Sequence, residues 1–311
     1  MSFTVDPGIA AALAPTAEHP PPPPRDWRDV RSNVEQAFSA LVAAAPKHEV
    51  VIRTRYAIET VDGATINACW YSVPNGAAGP AVVHAHGGGM ISADVALDDP
   101  YIAGYVVATG VPILSVDYRL APEVGGDTMA RDVFAALQWL LAHADELGVD
   151  PVRVAVLGES GGGGIAAGTA ILARDHGVAL ARQLLIYPML DHRNRTPDPA
   201  IAPLATWTYD NNQIAWDAVL SGSGASETVS AIASPALIDD AAGLAPAYIQ
   251  VGEIDVFRDE DVAYATTLWQ AGVSVELSVI PGAVHGFDAF APDAAVTRRA
   301  LEDRYRVLQT L

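Results

Sequence analysis

Short apolar runs recur along the chain from residue 81 onward, and longer stretches with apolar positions at helical spacing separate them. Strands that alternate with helices are typical of a mostly parallel sheet covered by helices on both faces. The sequence therefore predicts an α/β fold. Its predicted strands are Ala81–His86, Pro112–Tyr118, Val152–Gly158, Gln183–Tyr187, Ala247–Gly252 and Val273–Ile280. Its predicted helices are Asp99–Thr109, Thr128–Leu147, Gly161–Asp175, Asp259–Ala271 and Ala294–Leu311.

The residues before this alternation show two other patterns. Apolar residues recur at helical spacing over Asp26–Ala45, and Asp26 could cap the helix that this spacing predicts. Polar and apolar residues alternate over Glu49–Ile58 and Thr65–Ser72, on either side of Asp62-Gly63. Alternation around such a dipeptide predicts an antiparallel hairpin that opens the sheet.

Two segments do not fit the strand and helix alternation. Six prolines between residues 15 and 24 predict an extended polyproline spacer. Residues 191–245 separate two predicted strands by far more chain than a crossover needs, which predicts an inserted cap. The resulting organisation has an N-terminal proline-rich segment and cap helix over 1–48 and a core over 49–190 and 246–311.

Composition narrows the range of partners and compartments. The chain has 18 Lys and Arg against 37 Asp and Glu, a formal net charge of -19, so a nucleic-acid partner is not expected. Cys69 is the single cysteine and excludes an intramolecular disulfide. The N-terminus lacks a basic segment, and no apolar run is long enough to span a bilayer. We expect a cytoplasmic protein without membrane insertion.

A candidate nucleophile follows the third strand of the alternating part. The residues Gly158-Glu159-Ser160-Gly161-Gly162 form a G-x-S-x-G pattern between a predicted strand and a predicted helix. This is the context in which a serine sits on a strained strand-to-helix turn with its hydroxyl exposed. Ser160 is therefore the candidate nucleophile.

A glycine triplet after an earlier strand is a candidate for the oxyanion hole that a serine nucleophile needs. In His86-Gly87-Gly88-Gly89, side-chain-free backbone can aim N–H groups at the oxyanion of acyl transfer. We expect Gly87 and Gly88 as donors, joined by the N–H of Gly161, with His86 orienting the loop. The alternative is that His84 and His86 begin a metal site. We expect no metal, because no third ligand follows at a recognisable spacing.

A serine nucleophile needs a base and an acid, which follow it in the chain in this fold. Three histidines follow Ser160, and His285 is the one in a loop after the last predicted strand. The loop after Ala247–Val251 offers three carboxylates. Asp255 is the first choice for the acid, Asp259 the second and Glu253 the third.

These motifs, in this order, resemble the hormone-sensitive lipase family of esterases, the bacterial family IV carboxylesterases, over residue 50 to the end. The motifs that carry the resemblance are His86–Gly89, Asp117-Tyr-Arg-Leu-Ala-Pro-Glu123, Gly158–Gly162, Asp255–Asp259 and His285-Gly-Phe287. The resemblance implies the α/β-hydrolase fold, Asp255 as the acid, and a cofactor-free hydrolase of short to medium acyl esters. It also implies a homodimer through Val273–Ile280. The chain departs from the family at Gly161, where alanine is common, and at Met90, where an aromatic residue is frequent.

Some assignments and alternatives remain open on the sequence alone. Arg119 is expected to pair with a carboxylate behind the oxyanion loop rather than to act in catalysis. Amide or lactone hydrolysis, and a non-catalytic small-molecule receptor on the same fold, are the competing functions. Five residues are predicted to line a substrate pocket: Met90, Glu159, Trp207, Trp216 and Phe287.

Overall fold

The central sheet has eight strands in the order β1-β2-β4-β3-β5-β6-β7-β8. The computed structural model describes residues 3–18, 22–74, 78–226 and 228–311. The strands are β1 Ile52–Glu59, β2 Thr65–Ser72, β3 Gly79–Ala85, β4 Ile113–Asp117, β5 Val149–Glu159, β6 Arg182–Ile186, β7 Ala247–Ile254 and β8 Val275–Val284. Strand β2 runs antiparallel to β1 and β4, and all other pairs are parallel. The predicted mostly parallel sheet with an opening hairpin is confirmed.

Ten α-helices occupy the described parts of the chain. They are α1 Pro7–Glu18, α2 Trp27–Ala44, α3 Val95–Thr109, α4 Thr128–Ala142, α5 Ala144–Leu147, α6 Gly161–Asp175, α7 Tyr209–Ser221, α8 Arg258–Gln270, α9 Phe287–Phe290 and α10 Ala295–Gln309. The helix predicted over residues 128–147 is divided at His143 into α4 and α5. Among the described helices, none is both long and apolar enough to cross a bilayer.

The polyproline prediction is wrong at its beginning. Residues 7–18 form α1, and Pro15 lies inside that helix. Two contacts hold α1 in place: Ile9 is fully buried, and the preceding Asp6 N–H donates to the Gly282 carbonyl at 2.9 Å. Helix α1 packs against α9 near the end of the chain. Tertiary burial thus overrides the local preference at Pro15, and residues 19–21 of the predicted spacer lie outside the described residues.

The long segment between β6 and β7 contains α7 and two short 3₁₀ turns, Ala202–Leu204 and Pro235–Leu237. Helix α7 packs against α2, whose N-cap is Asp26 as the sequence predicts. The N-terminal and inserted segments therefore meet each other. Their meeting places side chains from both segments next to the loops that follow β3 and β8.

Candidate active site

Ser160 occupies a sharp turn between β5 and α6, with φ 56° and ψ -121°. A non-glycine residue in this region of backbone space is strained and persists only where its surroundings fix it. The flanking glycines allow the turn to pack tightly. A Cβ at Gly158 would lie 2.1 Å from the Gly162 carbonyl oxygen, and one at Gly162 would lie 2.0 Å from that of Ala85. The G-x-S-x-G pattern thus corresponds to a steric requirement at both glycines.

The imidazole of His285 lies between Ser160 and Asp255. His285 Nε2 is 2.9 Å from Ser160 Oγ, and His285 Nδ1 is 2.8 Å from Asp255 Oδ2. Asp255 follows β7 and is fully buried, while His285 follows β8. This line of hydrogen bonds can take the proton from a serine hydroxyl while a carboxylate fixes the imidazole tautomer. The structure brings together the three side chains selected first from the sequence.

The two other acid candidates lie elsewhere. Asp259 is exposed and pairs with Arg258, its Oδ1 lying 2.8 Å from Arg258 Nε. Glu253 accepts a hydrogen bond from Gly282 N–H at 2.9 Å. Both therefore have structural partners away from the His285 imidazole.

The glycine loop after β3 lies directly against the Ser160 turn. A Cβ at Gly87 would be 3.7 Å from Ser160 Cβ and 3.4 Å from the Glu159 carbonyl oxygen. Ser92 holds the loop, because its N–H and hydroxyl both donate to the Gly88 carbonyl, at 3.1 Å and 2.7 Å. Among the described residues, the Gly87 and Gly88 N–H groups have no recorded acceptor. Two amides are thus available beside the nucleophile.

His86 supports this loop, together with a tyrosine that the sequence analysis did not single out. His86 Nδ1 lies 2.9 Å from the Gly87 carbonyl oxygen, and the ring stacks on Tyr118 with centroids 4.2 Å apart. Tyr118 also donates its hydroxyl hydrogen to the His86 carbonyl at 2.7 Å. Burial lowers the pKa of His86 to about 4, so its imidazole is neutral near pH 7. Tyr118 lies within the motif 117–123, and this motif was the sequence feature that could have identified it as a supporting residue.

Arg119 pairs with carboxylates, as predicted. Its guanidinium binds Asp132 of α4 through Nε and Nη2, at 2.9 Å and 2.7 Å, and Asp62 of the β1–β2 turn at 2.9 Å. Arg119 therefore joins the opening hairpin to a helix. Another arginine reaches the oxyanion loop: Arg31 of α2 donates to the Ile91 carbonyl oxygen and pairs with Glu123.

The inserted segment touches the site through two adjacent residues. Thr206 donates its hydroxyl hydrogen to the His285 carbonyl at 2.6 Å. The Trp207 ring lies 6.3 Å from the His285 ring and presses on Gly89, where a Cβ would be 2.6 Å from Trp207 Cη2. Trp207 thus packs on the glycine loop and lies near the His285 ring.

Three other predicted pocket residues pack against neighbours within the fold. Trp216 is fully buried and packs edge-on against His192 inside the inserted segment. The Phe287 ring is fully buried beneath Tyr187. The Met90 methyl group lies against Gly164 of α6. Helical spacing and sequence proximity do not determine which way a side chain points, so the pocket assignments of these residues stay predictions.

Glu159 also points inward, into a buried cluster behind the nucleophile. Glu159 Oε2 lies 2.7 Å from His84 Nε2, which is 3.5 Å from Asp98 Oδ2. Burial raises the pKa of Glu159 to about 8 and of Asp98 to about 7, and lowers that of His84 to about 4. Their ligand atoms lie within 4.8 Å of one another, so this set could hold a metal ion. His86, the other half of the H-x-H pair, is not part of it.

A buried ion pair anchors the loop that carries His285. Arg304 of α10 contacts Asp288, whose other oxygen accepts the Tyr187 hydroxyl at 2.7 Å. Burial opposes ionisation of Asp288, but the charge of Arg304 and its hydrogen bonds lower the pKa of that carboxyl. The Tyr187 ring in turn meets the His285 imidazole at 4.8 Å. The His285 ring therefore packs on a network that extends from the C-terminal helix α10, and no sequence motif indicated this network.

Comparison with known proteins shows which family the chain resembles. A profile of the α/β-hydrolase fold matches residues 82–289. The chain is 40% identical over 238 residues to carboxylesterase NlhH of Mycobacterium tuberculosis, covering 74% of each protein. It is 31% identical over 264 residues to ethyl acetate hydrolase of Pseudomonas putida, covering 83% of this chain and 82% of that one. The solved structure of a bacterial heroin esterase superposes with a TM-score of 0.88 at 34% identity, covering 99% of this chain and 98% of that one.

Proposed function

We propose that this chain, a carboxylesterase that belongs to the α/β-hydrolase fold family, cleaves short to medium acyl esters through an acyl-enzyme on Ser160. The observation that carries the proposal is the hydrogen-bonded line from Ser160 through His285 to Asp255. The name of one relative, ethyl acetate hydrolase, favours a small ester as substrate.

In this mechanism, His285 accepts the Ser160 proton as the hydroxyl oxygen attacks the ester carbonyl, and Asp255 stabilises the resulting imidazolium. The N–H groups of Gly87, Gly88 and Gly161 bind the tetrahedral oxyanion. Gly161 is the first residue of α6, so its N–H is free of intrahelical bonds and lies at the positive end of the helix. The alcohol leaves with the proton, and a water activated by His285 then releases the acid.

We further propose that α2 and residues 191–245 form a cap over a core made of residues 49–190 and 246–311. The packing of α2 on α7 supports this division, as do the contacts of Thr206 and Trp207 with the site. The homodimer, the cytoplasmic location, and the absence of a nucleic-acid partner and of a metal stay predictions from the sequence.

A fluorophosphonate probe and a series of p-nitrophenyl esters from acetate to palmitate test the catalytic assignment. We expect wild type to be labelled on Ser160 and to prefer the shorter esters, whereas Ser160→Ala should be neither labelled nor active. Ser221→Ala, which removes an exposed serine hydroxyl in α7, is the matched control and should be labelled like wild type. Labelling or full activity of Ser160→Ala would refute the assignment.

Two further measurements address the competing functions and the base. If the enzyme hydrolyses amides or lactones faster than any ester, the proposed substrate class is wrong. If the protein binds the probe without turning over any substrate, a receptor function is favoured. Because the mechanism needs the imidazole of His285 as general base, His285→Ala should lower kcat strongly in a folded protein. A folded His285→Ala variant with the kcat of wild type would contradict the role of His285.

A further inference from the structure

A hydrogen bond between buried side chains joins the two strands that end at the active site. Glu159 is the last residue of β5, immediately before Ser160, and His84 lies in β3, two residues before His86. Strands β3 and β5 are parallel neighbours, with His84 opposite Leu157. The bond between Glu159 Oε2 and His84 Nε2 is 2.7 Å long, and the His84 side chain is fully buried. This buried bond therefore links the ends of β3 and β5.

Those two strand ends carry opposite sides of the proposed oxyanion hole. Strand β3 leads to Gly87 and Gly88, and β5 leads through Ser160 to Gly161. The two sides touch, since a Cβ at Gly161 would lie 2.9 Å from the Gly89 Cα and carbonyl carbon. A donor in such a hole is effective only within a few tenths of an ångström of its place. A bond that fixes β3 against β5 thus helps to fix the spacing of the donors.

Burial favours the protonated form of Glu159. The cation Arg304 of α10 opposes this effect, but Arg304 contacts Asp288 directly, and the charge of Asp288 acts on Glu159 in the opposite sense. Asp98 of α3 adds a second carboxyl near His84, and Ser115 of β4 lies 2.9 Å from His84 Nδ1. Because burial disfavours a charge on either partner, the proton stays on the carboxyl group. A neutral His84 then donates from Nδ1 to Ser115 and accepts at Nε2.

We propose that Glu159 is a positioning residue that works as a neutral carboxylic acid: its O–H donates to His84 Nε2, which fixes the oxyanion loop against Ser160. The neutral form also keeps negative charge away from the place where the oxyanion develops. This role rests on the proposed function, because it concerns the rate of acyl transfer at Ser160. It requires no contact between Glu159 and the substrate.

The pH dependence of kcat tests the neutral form. In wild type, ionisation of Glu159, with its pKa of about 8, should lower kcat on the alkaline side. Glu159→Gln keeps a donor for His84 but cannot ionise, so this alkaline decline should disappear. Glu260→Gln is the matched control, because burial raises the pKa of Glu260 to about 8 as well, while its carboxylate accepts from Leu190 and Asp191 N–H. The control should keep the alkaline decline.

The positioning effect is tested with Glu159→Ala and His84→Gln. We expect Glu159→Ala to lower kcat by about tenfold to a hundredfold with little change in KM, since the lost alignment matters in the transition state. His84→Gln combined with Glu159→Ala should lose little more than either change alone. An alkaline decline in folded Glu159→Gln identical to that of wild type would overturn the proposal, and so would additive losses in the double variant.

A measurement independent of activity separates this proposal from the proposed function. In protein labelled with ¹³C-glutamate, the carboxyl resonance that is missing in Glu159→Gln should titrate with a pKa of about 8. A resonance that stays in the ionised form across neutral pH would overturn the neutral role of Glu159, even if the phosphonate probe labels Ser160. Absence of labelling on Ser160 would instead refute the proposed function and leave the titration result intact. If Glu159→Ala does not fold, the glutamine variant and the titration still decide the question.

Discussion

Replacing Gly161 by alanine should impair catalysis, although alanine is common at this position in the family that the sequence resembles. A Cβ on Gly161 would lie 2.6 Å from Met90 N and 2.9 Å from the Gly89 carbonyl carbon. Both are backbone atoms of the oxyanion loop, so they cannot turn aside as a flexible side chain can. The methyl group must therefore push the loop and the start of α6 apart.

The expected loss of kcat follows from how far the new Cβ and Met90 N must move apart. Relieving the contact from 2.6 Å to an ordinary 3.4 Å needs a displacement of about 0.8 Å between Met90 and Gly161. Such a displacement is enough to weaken a donor that must lie within about 3 Å of the oxyanion. Loss of one donor costs about 10²- to 10³-fold in kcat, which is about 3 to 4 kcal/mol of transition-state stabilisation. We expect Gly161→Ala to approach that loss.

Steady-state hydrolysis of p-nitrophenyl acetate measures the change, with kcat and KM determined separately. The matched control is Gly104→Ala, a substitution inside α3 where a new Cβ would have His48 Nε2 at 3.6 Å as its nearest neighbour. This variant should keep wild-type kcat and gain up to about 1 kcal/mol of stability, because alanine favours a helix more than glycine. A folded Gly161→Ala enzyme with the kcat of wild type would refute the steric argument and the role of this amide.

Three further predictions concern the residues that surround the triad. Trp207→Ala should lower the free energy of unfolding by about 3 to 5 kcal/mol, because it removes a buried ring that packs on Gly89; urea unfolding measures this, and an unchanged midpoint would contradict it. Arg304→Met should cost about 3 to 5 kcal/mol by leaving Asp288 buried without its cation, and adding Asp288→Asn should restore part of the loss in the same assay. Between its unfolded pKa of 4.5 and its folded pKa of about 8, Glu159 carries a proton in the folded state but not in the unfolded state. The free energy of unfolding should therefore fall as pH rises through this window, by up to about 1.4 kcal/mol per pH unit. A difference in the free energy of unfolding between wild type and Glu159→Gln that stays constant across the window would contradict this.

The sequence predicted the strands well, and it selected three side chains that the structure brings together, because both depend on local patterns. Parallel buried strands appear as apolar runs, and the nucleophile turn requires glycines at fixed offsets. The sequence left the choice of the acid open, since three carboxylates, Glu253, Asp255 and Asp259, lie within seven residues at the end of β7. Only the fold shows that Asp255 faces His285 while Asp259 faces solvent.

The failures have a common physical origin in long-range packing. Helix α3 begins at Val95 because Asp94 caps it, with its side chain accepting from Leu97 N–H at 2.8 Å, whereas the sequence suggested a start at Asp99 before Pro100. Helix α1 persists through Pro15 because its other end is buried against the C-terminal part of the fold. Glu159 was assigned to the pocket from its place beside Ser160, yet the direction of its side chain depends on the twist of β5 and the partner in β3.

Arg31 gives α2 a mechanical role beside the candidate active site. Its single guanidinium holds the carbonyl oxygens of Ile91 and Ala121 and the carboxylate of Glu123, so α2 is fastened to the segment that follows the glycine loop. Any movement of α2 away from this segment would have to release these three acceptors first. An enzyme shortened by its first 45 residues would therefore lose this brace on the segment after the glycine loop.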